Sequence, residues 1–272
     1  MNRETYLTDE FTDELAKIAL LAGRCIMNFY ENGAEVTSKA DNSPVTDADR
    51  AAEKIILSEL ARLAPGIPIL AEECASEGNI PELGDLFFLV DPLDGTKEFI
   101  NKTGEFTVNI ALIEKERPIS GVVYAPAINV LYAGRTGAGA WKANSTVDFT
   151  LEERSPIATR NIPENGLTAV ASRSHRSPET DEFLEKLEVK DFAAAGSSLK
   201  FCLLAEGKAD VYPRLGRTME WDTGAGQAVL EAAGGCVQIH PYGDQLTYRK
   251  ISRGYDNPFF IAWGRTPMRA AP

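Results

Sequence analysis

The sequence predicts a mixed α/β fold, built as one large domain or as two packed halves. Helices followed by antiparallel strands make up the first part of the chain, and strands and helices alternate in the second part. With 272 residues, of which 44% are hydrophobic and 25% charged, the chain can bury the large core that such a fold needs. We expect a boundary between an N-terminal α+β half, 1–145, and a C-terminal α/β half, 146–272.

Two helices and a series of strands are predicted in the N-terminal half. The first helix carries its apolar residues on one face, and Lys17 and Arg24 within it argue against a membrane span. The second begins at Thr46, with Asp49 at the spacing of a capping box. Short apolar stretches bounded by turn residues predict the strands. The predicted elements are helices over 8–30 and from 46 to 63, and strands over 67–71, 86–90, 106–113, 119–124 and 130–134.

Strands and helices alternate in the C-terminal half. Ser177 and Pro178 suit the N-cap and first position of a helix, and Gly234 is typical of a helix C-terminus. Gly224 and Gly226 are poor helix formers inside the last predicted helix, and close approach of a substrate to Gly224 is one explanation. The predicted strands are 168–172, 192–195, 209–212, 236–240 and 258–263, and the predicted helices are 177–187, 197–207 and 222–234.

The charge of the chain limits the classes of partner. Forty Asp and Glu against 28 Lys and Arg give a net charge of −12, which disfavours binding to a nucleic-acid polymer. An anionic small molecule would also be repelled unless cations reverse the field locally. The polar, acidic N-terminus lacks the pattern of a signal peptide, and four scattered cysteines are typical of reduced thiols, so we expect a cytoplasmic protein. Both an inert and an oxidation-sensitive thiol fit Cys74.

Three acidic segments each lie at the end of a predicted strand or at the start of a predicted helix. Glu72 and Glu73 end a predicted strand, Asp91 ends the next one, and Asp222 begins a predicted helix. Such positions gather at one edge of a sheet in α/β folds. Carboxylates brought together repel one another unless a cation binds them, and oxygen ligands suit Mg²⁺, Mn²⁺ or Ca²⁺ rather than zinc.

The segment Asp-Pro-Leu-Asp-Gly-Thr, 91–96, suits both a metal and a phosphate. Asp91 and Asp94 could bind the same metal ion or adjacent ions, with the Leu93 carbonyl as a further ligand. Gly95 permits a tight turn, and the backbone N–H groups of Gly95 and Thr96 could hold a phosphate. Taken alone, each acidic segment also fits an ordinary turn, cap or solvated loop, so the functional interpretation rests on their combination.

That combination resembles the lithium-sensitive, magnesium-dependent phosphatases of the inositol monophosphatase family. The resemblance runs from about residue 10 to residue 263, and its most specific part is the series Ala71–Glu73, Asp91–Thr96 and Trp221–Asp222. Within the family, the chain most resembles the branch that hydrolyses 3′(2′),5′-bisphosphate nucleotides. The segments that carry this finer resemblance are 38–46, 91–100, 104–113 and 196–202.

The resemblance implies an alternating α/β/α/β/α layered sandwich and hydrolysis of a phosphomonoester by metal-activated water. It implies two or three Mg²⁺ ions, with Mn²⁺ as an alternative. The implied metal ligands are the Leu93 carbonyl and the carboxylates of Glu72, Asp91, Asp94 and Asp222. The implied catalytic residues are Asp49, Thr96 and Glu72. The implied substrate-binding residues are Gly95, Thr96, His175, Ser197, Lys200, Arg214 and Asp222.

The substrate implied by the nucleotidase branch is adenosine 3′,5′-bisphosphate, hydrolysed to AMP and phosphate in sulfur assimilation. A further substrate to consider is 3′-phosphoadenosine 5′-phosphosulfate (PAPS), whose product would be adenosine 5′-phosphosulfate (APS). An inositol monophosphatase or sugar bisphosphatase with the same metal core is the alternative, and a non-catalytic binder is a third. Lys200 and Arg214 are expected to hold the second phosphate. The sequence does not determine whether the protein is a monomer or a homodimer. It also leaves open a peripheral association with the inner membrane.

Overall fold

The chain folds into five alternating layers of helices and sheets. The structure is a computed structural model, and it describes residues 3–38, 44–171, 178–187 and 189–265. Two helices cover one face of a seven-stranded sheet, and two further helices lie between that sheet and a five-stranded one. A helix on the far face of the second sheet completes the α/β/α/β/α order that we expected.

The first sheet contains seven strands in chain order. Its first two strands are parallel and the remaining pairs are antiparallel. A separate two-stranded ribbon, β1 (Val36–Ser38) and β2 (Pro44–Thr46), precedes it. The strands of the sheet are β3 (Ile69–Ala71), β4 (Leu86–Asp94), β5 (Thr107–Glu114), β6 (Arg117–Ala125), β7 (Val130–Arg135), β8 (Gly139–Asn144) and β9 (Ser155–Ile157).

The outer helix layer is close to the sequence prediction. Helix α1 (Asp9–Asn32) begins after Thr8, whose hydroxyl accepts the Phe11 N–H, and it buries the predicted apolar face. Helix α2 (Asp47–Leu63) begins with the predicted capping box of Thr46 and Asp49. Each helix therefore starts where a local side-chain contact satisfies its first N–H groups. Among the described residues, no helix is both long and apolar enough to cross a membrane.

The second sheet mixes parallel and antiparallel strands. Its strand order is β11-β10-β12-β14-β13, with parallel pairing around β10 and antiparallel pairing around β14. The strands are β10 (Leu167–Ala171), β11 (Val189–Ala194), β12 (Val211–Arg214), β13 (Cys236–Ile239) and β14 (Phe260–Trp263). The helices are α5 (Pro178–Glu185), α6 (Leu199–Ala205) and α7 (Gly224–Ala232).

Glycines in and around α7 allow the central layer to pack closely. A Cβ on Gly226 would lie 2.5 Å from Cδ2 of Phe201, and one on Gly224 would lie 3.1 Å from Cδ1 of Leu89. On the facing strands β6 and β7, a Cβ on Gly121 would lie 2.7 Å from the Ala225 carbonyl oxygen. Gly226 therefore lets α7 pack against α6 within the central layer, and Gly224 lets α7 approach the first sheet.

Several boundaries differ from the sequence prediction. Strands β1, β2, β8 and β9 were not predicted, and β9 carries the first sheet past residue 145, so the division there stays a prediction. Glu72 and Glu73 do not end a strand but begin a short helix, α3 (Glu72–Ser76). Asp222 and Ser197 each precede a helix by two residues instead of opening it.

Candidate active site

Carboxylates from both halves of the chain meet at one edge of the first sheet. Glu72 follows β3 and Asp91 lies in β4, and the parallel register of these strands places them side by side. Asp222 comes from the turn before α7, which lies against the same sheet. One carboxylate oxygen from each of these three residues lies within 4.8 Å of the other two. The predicted convergence of the acidic segments is therefore present in the structure.

Asp94 lies beside this group through an irregularity in β4. Residues three apart on a regular strand point to opposite faces. The pairing of β4 with β5 shifts between Asp91 and Asp94, which resets that alternation. Asp94 then acts electrostatically on both Asp91 and Asp222. We call Glu72, Asp91, Asp94 and Asp222 the carboxylate cluster.

The carboxylate cluster is electrostatically unfavourable without a cation. Burial raises the pKa of Asp91 and of Asp222 well above the ordinary value, and the neighbouring carboxylates raise both further. Burial raises the pKa of Asp94 to about 6, although the Lys200 ammonium and the Asn109 amide act in the opposite direction. Closely spaced carboxylate oxygens that repel one another fit a hard divalent cation such as Mg²⁺.

Asp49 and Thr96 form a hydrogen-bonded pair next to the cluster. Asp49 is buried, and its carboxylate accepts the Thr96 hydroxyl at 3.1 Å. It also accepts the backbone N–H of Thr46 at 2.8 Å and the Thr46 hydroxyl at 2.6 Å, which fix its orientation. The Leu93 carbonyl is a second acceptor, 3.4 Å from the Thr96 hydroxyl. Burial raises the pKa of Asp49, so its carboxylate is a better proton acceptor than an exposed one.

The turn at Gly95 brings the start of a helix beside Asp94. Gly95 has φ +97°, and Thr96 is the first residue of α4 (Thr96–Ile100). A Cβ on Gly95 would lie 3.3 Å from the Glu105 carbonyl oxygen, in addition to the strain of this φ. The backbone therefore passes close to the 105–106 segment at a position that only glycine adopts easily.

The predicted substrate-binding residues that the structure describes flank the cluster. The Lys200 ammonium is buried, donates to the Ser197 carbonyl at 3.1 Å and acts on Asp94. Arg214 donates to the Arg217 carbonyl at 2.7 Å and lowers the pKa of Asp222, while its buried Nε has no hydrogen-bond partner among the described residues. Two cations thus lie beside the carboxylates.

Ser197 and His175 differ from this pattern. The Ser197 hydroxyl donates to the Glu105 carbonyl at 2.7 Å, and its residue adopts φ +41° before α6 begins at Leu199. We expected Ser197 to begin this helix. In the structure it lies before the first helical turn. His175 lies outside the described residues, together with the rest of its Ser-Arg-Ser-His segment.

Sequence reasoning missed the polar residues that connect two members of the carboxylate cluster. Asn109 donates to Asp94 at 3.3 Å and to the Ser198 hydroxyl at 3.0 Å, and that hydroxyl donates to the Asp222 carbonyl at 2.8 Å. Hydrogen bonds through Asn109 and Ser198 therefore connect the Asp94 carboxylate to the backbone carbonyl of Asp222. An amide within the otherwise apolar segment 108–113 was the available signal for Asn109.

Comparisons with known proteins agree with this architecture. A model of the inositol monophosphatase family matches residues 7–262. The 3′(2′),5′-bisphosphate nucleotidase CysQ of Escherichia coli K12 is 47% identical over 239 residues, which cover 87% of this chain and 93% of that protein. The protein of the same name from Buchnera aphidicola is 44% identical over 89% of this chain and 88% of its own length.

A solved structure supports the same assignment. CysQ from Bacteroides thetaiotaomicron, described as a bacterial member of the inositol monophosphatase family, is 38% identical with a TM-score of 0.77. The match covers 94% of this chain and 98% of that one. On its five-layered fold and on these matches, the chain belongs to the inositol monophosphatase family.

Proposed function

We propose that the protein is a Mg²⁺-dependent 3′(2′),5′-bisphosphate nucleotidase that hydrolyses adenosine 3′,5′-bisphosphate to AMP and phosphate. The observation that carries this proposal is the carboxylate cluster, which has the hydrogen-bonded Asp49–Thr96 pair beside it and interacts electrostatically with Lys200 and Arg214. The two CysQ relatives, which are named as nucleotidases of this type, support the choice of substrate.

The proposed metal ligands are the carboxylate cluster and the Leu93 carbonyl. When bound, Mg²⁺ would lower the pKa of a bound water and neutralise negative charge on the phosphate that is transferred. The cations would also offset the net charge of −12, which otherwise repels a bisphosphate. Two or three ions fit the resemblance, and Mn²⁺ could replace Mg²⁺.

The proposed proton acceptor is Asp49, acting through Thr96. Since a threonine hydroxyl has one hydrogen, it can donate to Asp49 while its oxygen accepts a hydrogen bond from the attacking water. The water is then held in one orientation, and its proton passes through Thr96 to the buried Asp49 carboxylate as its oxygen bonds to phosphorus. The bond between phosphorus and the 3′-oxygen breaks in the same step, and that oxygen leaves with AMP and takes a proton from solvent. The N–H groups of Gly95 and Thr96 would hold the phosphate that is attacked.

The second phosphate is proposed to bind Lys200 and Arg214. Both are cations beside the carboxylate cluster, and the Nε of Arg214, which has no partner in the described part of the chain, can donate to a ligand. Ser197, adjacent to Lys200 through its carbonyl, and His175 are proposed to contact the nucleotide. Hydrolysis of PAPS to APS and a role in sulfur assimilation are further parts of this proposal.

Phosphate release from a panel of substrates tests the proposal. Adenosine 3′,5′-bisphosphate, inositol 1-phosphate and fructose 1,6-bisphosphate would be compared with Mg²⁺ present and after chelation. We expect strong preference for the nucleotide and complete loss on chelation. Preference for inositol or sugar phosphate would retain the metal site but contradict the roles of Lys200 and Arg214. Absence of metal-dependent release from all three would favour the non-catalytic binder.

A further inference from the structure

Glu53 is a second buried carboxylate on the face of α2 that carries Asp49. The two residues lie one helical turn apart, and the Glu53 side chain is 4% exposed. Asp49 faces Thr96, whereas Glu53 faces the start of α3, where Glu72 is the first residue. One helix therefore brings a buried carboxylate to each of two segments of the candidate active site.

The contacts of Glu53 are those of a helix cap. Its two carboxylate oxygens accept the N–H groups of Glu73 at 2.8 Å and Cys74 at 2.9 Å. In α3 these are the second and third positions, whose N–H groups an N-cap side chain normally satisfies. The residue at the N-cap is Ala71, which has no side chain able to do so. Glu53, which lies in another helix, thus accepts the hydrogen bonds for which the α3 sequence has no N-cap side chain.

The electrostatics of Glu53 are unfavourable for an acid that only fills space. Burial raises the pKa of Glu53, and the nearby Glu72 carboxylate raises it further, while the two N–H groups and the Cys74 thiol act in the opposite direction. An amide or an apolar side chain would avoid the desolvation of a charge. What the carboxylate offers is two acceptor oxygens for two parallel N–H donors, and so a fixed first turn of α3.

We propose that Glu53 is a positioning residue that sets the direction of the Glu72 carboxylate and thereby the affinity of the cluster for divalent cations. Helix α3 has five residues, too short to hold its own geometry in isolation. With both N–H groups held by Glu53, the preceding residue Glu72 enters the cluster from a fixed backbone. This inference rests on the proposed function, in which Glu72 is a metal ligand.

Two variants of Glu53 and one matched control test the proposal. Glu53→Gln keeps the shape but replaces one acceptor oxygen with an NH₂ group that faces an N–H donor. Glu53→Asp keeps the charge but is one methylene shorter, so it loses the reach to α3. Cys74→Ala removes the thiol next to Glu53 and keeps both backbone bonds. Mn²⁺ affinity would be measured by titration in the absence of substrate, beside the Mg²⁺ dependence of phosphate release and the melting temperature.

Both Glu53 variants are expected to weaken Mn²⁺ binding and raise the half-saturating Mg²⁺ concentration by about 10- to 100-fold, the usual effect of losing an outer-shell partner. Excess Mg²⁺ should restore kcat, the KM for nucleotide should stay unchanged, and Cys74→Ala should resemble the wild type. Unaltered Mn²⁺ affinity in both variants, with only a lower melting temperature, would overturn the proposal. So would rescue by Glu53→Asp, which would indicate that charge alone matters.

The two proposals fail in different ways. If the wild type releases no phosphate with Mg²⁺ but Glu53→Gln weakens Mn²⁺ binding, the proposed function is wrong and the positioning role stands. If the wild type is active and binds Mn²⁺ as tightly as Glu53→Gln does, the proposed function stands and the positioning role is wrong.

Discussion

The Thr96 hydroxyl is proposed to act in the chemical step and not in binding the substrate. It donates to Asp49 and is proposed to orient water, while the substrate is proposed to bind the backbone N–H groups of Gly95 and Thr96, which the substitution keeps, and Lys200 and Arg214. Thr96→Ala should therefore lower kcat by about 10²- to 10⁴-fold with little change in KM, because only the water-activating path is lost. Steady-state kinetics would show this split, and Thr96→Ser, which keeps the hydroxyl, is the control. A rise in KM with normal kcat would contradict the role.

Lys200 is the residue that most directly tests the second-phosphate site. Lys200→Met keeps most of the buried stem but removes the ammonium, so kcat/KM for adenosine 3′,5′-bisphosphate should fall by about 10- to 100-fold more than for 3′-AMP. Lys208→Met is a matched control, since Lys208 is exposed and pairs with Glu206. Equal losses on both substrates would instead indicate that Lys200 acts only through the carboxylate cluster.

At the residue scale, the acidic residues of the site could be predicted from the sequence, but the polar residues that contact them could not. The convergence of the acidic residues could be predicted because each lies at or beside a predicted strand end or helix start, and such positions converge by geometry. Asn109, Ser198 and Glu53 could not be found this way. Their partners lie 15 to 89 residues away along the chain, and each contact depends on how the elements pack.

At the scale of elements, α7 is fitted to its surroundings rather than to helix propensity. Replacing a helical glycine with alanine usually adds up to about 1 kcal/mol of stability. Gly226→Ala should instead lower the free energy of unfolding by about 1–3 kcal/mol, because its Cβ would overlap the Phe201 ring. Denaturant titration measures this, with Gly84→Ala as control, since a Cβ there meets nothing within 4 Å. A stabilised Gly226→Ala protein would contradict the packing explanation.

The elements that were predicted correctly have local signals, and those that were missed do not. The capping box at Thr46 and the N-cap at Thr8 act within one turn, so the sequence alone locates α1 and α2. Strand β8 contains glycine, lysine and asparagine, and β9 contains proline, all of which are depleted in strands. Strand β8 pairs with the edge of β7, and β9 pairs with the edge of β8. Both pairings depend on the assembled sheet rather than on local sequence.

At the scale of the whole molecule, neither half of the chain contains the complete candidate active site. Helix α7 from the C-terminal part packs on β5, β6 and β7, and Asp222 just before it joins the three carboxylates of the N-terminal part. The cluster is therefore complete only when α7 is packed on the first sheet. The cytoplasmic location and the choice between monomer and homodimer stay predictions.

The carboxylate cluster should also determine how stability depends on pH. The folded pKa values of Asp91, Asp94 and Asp222 are raised, to about 6 for Asp94, above an unfolded value near 3.9. The folded state then binds more protons, so the stability of the metal-free protein should fall as pH rises from about 4 through 6 and beyond.

Mg²⁺ should change that dependence. It replaces the bound protons, so it should raise the melting temperature more at about pH 8 than at about pH 6. Melting curves with chelator and with Mg²⁺ at both pH values measure the two effects. Stability of the metal-free protein that rises with pH over this range, or an equal gain from Mg²⁺ at both values, would contradict the account.

In the proposed active site, the carboxylate cluster holds divalent cations beside a nucleotide pocket formed by Lys200 and Arg214. Anomalous diffraction from crystals grown with Mn²⁺, AMP and phosphate tests this arrangement most directly. We expect Mn²⁺ peaks among the carboxylates of Glu72, Asp91, Asp94 and Asp222, with the AMP phosphate against Lys200 and Arg214. Mn²⁺ bound elsewhere, or AMP bound away from these two cations, would contradict this arrangement.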